Sequence, residues 1–143
     1  MRILAALLVS LAVVATACGS QSNTYRSQID RVQKRCEPKL RPLELQLATA
    51  IKDRRTADAA TLAGQTASLL AGCAAEIGAI DPPSGLKARA DALVGAYGKL
   101  VRSLRDLETS LHAKTAKQIN AAITGYNAAR LAETSAIAAL NGS

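Results

Sequence analysis

The residues with reactive chemistry in this 143-residue chain are few: three cysteines (Cys18, Cys36 and Cys73), one histidine (His112), three tyrosines, and an Arg130/Glu133 pair set among apolar residues. A thiol can bridge, be acylated, ligate a metal or act as a nucleophile, and its setting decides which. The C-x-x-C spacing of redox motifs is absent, so a Cys36–Cys73 bridge reads as structural. His112 has no matching Ser and Asp constellation and stands beside a break, where positive charge suits a helix C-terminus. A single His and a single Met, the latter Met1, leave no His- or Met-ligated metal or haem site, so no metal or cofactor is expected. No metalloprotease helix, phosphate loop, dinucleotide fingerprint or nucleophile–base pair is present, and no enzyme is expected. Arg130 and Glu133, level with Tyr97 and Tyr126, would form a buried polar cluster or ligand site if they point inward. Their long stems also allow them to pack while the charges reach water.

Four periodic stretches must position these groups. With 30 Ala and 19 Leu and no Trp or Phe, the composition is that of one small helical domain. Leu86, Ala90, Leu93, Tyr97, Leu100, Leu104, Leu107 and Leu111 step alternately by four and three, the seam of near-parallel helix packing. Tyr25, Ile29, Val32, Cys36, Leu40, Leu43 and Leu47 mark an earlier helix, which Pro38 and Pro42 should kink or interrupt. Leu62, Leu69, Cys73, Ile77 and Ile80 mark the second, and Ile119, Ile123, Tyr126, Arg130, Glu133, Ile137 and Leu140 the fourth. The breaks fall at Arg54-Arg55-Thr56, at Asp81-Pro82-Pro83-Ser84-Gly85 and at His112-Ala113-Lys114-Thr115. Thr56 and Ser84 are candidate caps there, and Thr115 with Gln118 has capping-box spacing. Short connections between long amphipathic helices predict an all-α, antiparallel up-down-up-down four-helix bundle over residues 25–143.

That topology predicts the disulfide. The midpoint of residues 36 and 73 falls between Arg54 and Arg55, inside the first turn. Both arms of a helical hairpin rise equally per residue, so Cys36 and Cys73 should sit level and face each other. An Ala-rich core buries little apolar area per residue, and a covalent staple compensates.

The N-terminal segment predicts export. Arg2 is followed by the apolar run Ile3–Val14, which is of signal-peptide length and shorter than the roughly 20 residues of a spanning helix. Ala15-x-Ala17 suits an ordinary signal peptidase, which would release a secreted chain. Ala15-Thr16-Ala17-Cys18, followed by Gly19-Ser20, also resembles a bacterial lipobox, with Ala15 where lipoboxes favour Leu. On that reading residues 1–17 are removed, Cys18 is lipidated, and residues 18–24 form a flexible tether at the extracytoplasmic face of the cell membrane. The odd cysteine count agrees, since an exported chain with one bridge leaves one thiol over. With Cys36 and the Pro82-Pro83 break before a Leu-patterned helix, the whole chain resembles the small helical lipoproteins and secreted proteins of high-GC actinobacteria. The resemblance implies an envelope location and no activity.

Charge narrows the partners. The chain carries net charge +7, concentrated in residues 26–55 and 85–117, while residues 56–84 contain no Lys or Arg. Basic faces would attract anionic lipid headgroups or an anionic envelope polymer, or simply keep the helices solvated. An extracellular chain with 2% aromatic residues and no base-reading motif does not point to nucleic acid. Three roles remain: an interaction or envelope component contacting a protein or polymer, a small-ligand or lipid carrier built around Tyr97, Tyr126, Arg130 and Glu133, or an escort for a secretion component. A carrier needs an internal cavity of roughly 300 Å³ or more, whereas an adaptor has a filled core.

Overall fold

The computed structural model describes residues 3–113 and 115–142, with side chains from residue 19 onward. The expected leader side chains and the Cys18 thiol lie outside the described residues. Four helices account for the fold: α1 (Ile3–Lys52), α2 (Thr56–Gly78), α3 (Lys87–Ala113) and α4 (Ala116–Asn141), with a single 3-10 turn at Ser84–Leu86 before α3. Among the described residues 92% are helical and no strand occurs. The short turns make sequence neighbours antiparallel. α2 packs on α1, α3 on α2 and α4 on α3, whereas α1 and α4 scarcely approach at the backbone level. The ring therefore has one open seam.

The α3 residues of the four-three pattern are all buried, with Leu93, Leu100 and Leu104 fully so. Cys36 and Cys73 form the disulfide across α1 and α2, their Cα atoms 6.3 Å apart. The buried face of α2 differs from expectation. Ala59, Ala60, Ala63, Gly64 and Ala67 line it with Leu70, Cys73 and Ile77, while Leu62 and Leu69 are only half-buried. α2 lies between α1 and α3, and small residues let both neighbours close on it. Gly64 illustrates the closeness: a Cβ there would lie 2.5 Å from the Glu108 carboxylate of α3.

Pro38 and Pro42 do not interrupt α1, which continues through both. Both rings are exposed, so the carbonyls of Lys34 and Pro38 that lose their amide donors stand where water reaches them. Residues 19–24, expected as a flexible tether, are helical and continuous with α1, with the Thr24 hydroxyl donating to the Ser20 carbonyl at 2.9 Å. Two caps also differ. Arg55, not Thr56, is the N-cap of α2, and its guanidinium reaches Asp58 at 2.8 Å. Pro83, not Ser84, precedes the 3-10 turn. Thr115 is the N-cap of α4, but its hydroxyl pairs with the Gln118 side chain instead of a backbone amide.

The end of α1 is a Schellman turn. The Arg55 amide donates to the Ala50 carbonyl at 2.9 Å and the Arg54 amide to the Ile51 carbonyl at 3.1 Å. Arg54 occupies the left-handed position of that turn, with φ 59°.

Candidate functional site: a cleft at the open seam

Where α1 and α4 fail to close, a cleft of about 470 Å³ enters the bundle. Its apolar wall includes Val32, Leu40, Ile77 and Ile137, together with the Cys36–Cys73 bridge. Its polar wall is made by Gln33, Glu44, Tyr97, Arg130 and Glu133, with Glu37 and Arg41 also lining it. A larger concavity, about 790 Å³, lies between the start of α1 and residues 79–83. It is shallower and gathers no comparable set of buried charged groups, so the seam cleft is the better candidate.

Arg130 spans the seam. Its guanidinium donates through Nη2 to Glu44 Oε2 at 3.0 Å on α1 and through Nη1 to Glu133 Oε2 at 2.8 Å on its own helix. The Glu133 side chain is only 9% exposed, whereas that of Arg130 keeps 42% of its surface in water. Burial opposes the Arg130 charge, but the Glu44 and Glu133 carboxylates outweigh it and hold its pKa above the ordinary value. Both sequence readings of this pair are thus met in part: Glu133 is buried, and Arg130 reaches the rim while its charge is satisfied. Glu44 also accepts a hydrogen bond from the Tyr126 hydroxyl at 3.2 Å. The Tyr97 hydroxyl accepts one from Gln33 Nε2, also at 3.2 Å. At the far end of the seam Arg26 Nε donates to the Leu140 carbonyl at 2.9 Å.

The four expected residues are therefore brought together, with Tyr97, Arg130 and Glu133 lining the cleft and Tyr126 adjoining it through Glu44. Glu44 and Gln33 were missed. A signal for Glu44 existed, since it lies four residues after Leu40 and three before Leu47, in step with the α1 seam. His112 is exposed in the last turn of α3, away from the cleft. Among the described residues no group of His, Cys, Asp and Glu is arranged to hold a metal ion, and no helix is long and apolar enough to cross a membrane.

Burial raises the Tyr97 pKa, reinforced by the Glu133 carboxylate and opposed by the Gln33 hydrogen bond. Burial and the Glu44 carboxylate push Tyr126 up to about 12. In the unfolded chain that phenol ionises first, near its ordinary value of 10.0, so its contribution to stability is intact below pH 10 and is lost as pH climbs towards 12. Spectrophotometric alkaline titration should show a phenol component near 12 that Tyr126→Phe removes. A wild-type titration complete by pH 11 would contradict the buried contact with Glu44.

Comparison of the chain with protein-family models, curated proteins and solved structures gives no match. The functional reading accordingly rests on the geometry of the cleft.

Proposed function

We propose that this chain is an extracytoplasmic, lipid-anchored, non-enzymatic binding protein that takes an amphipathic small molecule in the cleft between α1 and α4. The observation that carries the reading is the cleft itself. Its volume of about 470 Å³ lies within the range of small-molecule sites, and it is apolar on one side and hydrogen-bonding on the other. An adaptor that works only through its outer faces has no need of such an opening. The apolar part of a ligand would lie on Val32, Leu40, Ile77 and Ile137, and its polar end would meet Arg130, Glu133 and Tyr97. The lipid anchor at Cys18 would hold this opening near the membrane surface, where amphipathic molecules are concentrated.

The test uses the protein extracted from membranes, with anilinonaphthalene sulfonate as probe. Saturable binding is expected, weakened at least about tenfold, or 1.4 kcal/mol, by Ile137→Trp and by Thr134→Phe, which fill the cleft from its α4 side. The melting temperature of each variant reports whether the bundle is intact. Undiminished probe affinity in an intact variant, or no saturable binding by the wild type, would reject the cleft as a binding site. In the same preparation Cys18→Ala should leave the membrane fraction or remain unprocessed. Unchanged membrane partitioning of a mature-sized Cys18→Ala product would reject the anchor and leave the cleft to be judged separately.

A further inference from the structure

The turn between α1 and α2 and the turn between α3 and α4 lie at the same pole of the antiparallel bundle, opposite the start of α1. From residue 19 to this pole α1 extends about 50 Å at 1.5 Å per residue. Lys52, Arg54, Arg55, His112 and Lys117 are all exposed there. Arg55 is engaged by Asp58 at 2.8 Å and lies 3.9 Å from Asp53. Among the described residues Lys52, Arg54 and Lys117 form no ion pair with an acidic side chain.

Arg54 adds a second, independent observation. It holds φ 59° at the position of a Schellman turn where glycine avoids the Cβ clash. Its side chain is exposed. The turn's two hydrogen bonds would form equally well with glycine at this position, yet a long cation stands at its apex.

We infer that this pole docks a phosphate-bearing polyanion. Arg54 supplies a planar, permanently charged fork suited to phosphate oxygens, while Lys52, two residues before it, and Lys117, in the first turn of α4 at the same pole, supply point charges. No tyrosine stands among these residues, so base stacking has no platform and the phosphates are the recognised feature. This pole and the seam cleft share no residue, so each can fail without the other.

The test measures binding of inorganic polyphosphate to the full mature protein at fixed ionic strength, with poly-glutamate as the carboxylate counterpart. Arg54→Gly should weaken polyphosphate binding while raising the melting temperature, because glycine relieves the left-handed strain. Loss of binding in that variant therefore cannot come from unfolding. The triple substitution Lys52→Gln, Arg54→Gly, Lys117→Gln should weaken binding at least about tenfold, and poly-glutamate should bind more weakly than polyphosphate. The comparison triple Lys39→Gln, Lys99→Gln, Arg102→Gln removes the same charge from exposed helix faces and should leave affinity within about twofold. Equal weakening by both triples, unchanged binding by Arg54→Gly, or equal affinity for the two polymers would overturn the assignment.

Discussion

Reducing the Cys36–Cys73 bridge should lower the unfolding free energy by about 4 kcal/mol, the chain-entropy value for the 37-residue separation it closes. Urea unfolding followed by circular dichroism, with and without reductant, measures this directly. Reduction is the cleaner perturbation, because both sulfurs remain in place and keep their packing. Replacing both cysteines by alanine should cost somewhat more, since Cys36 and Cys73 are 7% and 4% exposed and their removal empties core volume. The effect should be large relative to the whole, because domains of this size are stable by only about 5–15 kcal/mol. It should also reach the cleft, whose apolar wall includes the bridge, so probe binding should fall when the protein is reduced. Superimposable curves in the two conditions would mean that the staple contributes nothing to stability.

The second large effect separates the two ends of the helical sequence. Leu100→Ala should cost about 3 kcal/mol, as expected for a leucine with no exposed surface in a packed core. Ile123→Ala, on the half-buried face of α4, should cost about 1 kcal/mol. The asymmetry follows from the packing. α3 buries seven seam side chains, Ala90, Leu93, Tyr97, Leu100, Leu104, Leu107 and Leu111, whereas α4 buries only Ala129, Glu133 and Leu140. Hydrogen exchange should accordingly show α4 amides opening at lower free energy than those of α3. Equal costs for the two substitutions, or uniform protection across α3 and α4, would mean that α4 is bound into the bundle as firmly as its neighbour.

The α3 seam was legible in the sequence because leucine dominates it at regular four-three spacing. The disulfide was legible because a helical hairpin puts residues equidistant from its turn at one height. α2 was harder to read for the opposite reason. Like α3 it packs between two neighbours, but its inward face is largely alanine and glycine, and scattered leucines at 62 and 69 drew the stripe away from it. The prolines of α1 were expected to kink or interrupt it, and the helix runs on through them because both rings lie on its solvent face, which a one-dimensional pattern does not show. Arg54 gave no sign of its left-handed backbone, since in the sequence it is the same residue as its neighbour Arg55. Within the cleft, the α4 members were found because charge on an apolar stripe is conspicuous. Glu44 was hidden by Leu43 beside it, and its role depends on a contact 86 residues away.

The open seam also bears on the order in which the molecule assembles. Each helix rests chiefly on the one made just before it, so most contacts join segments close in the chain, a topology associated with rapid folding. A polypeptide emerging N-terminus first can collapse its opening hairpin, seal it with sulfur and add α3 before the remainder arrives. The last segment then docks on a surface already built. Long-distance handshakes such as Arg26 with the Leu140 carbonyl and Glu44 with Tyr126 and Arg130 await the completed chain.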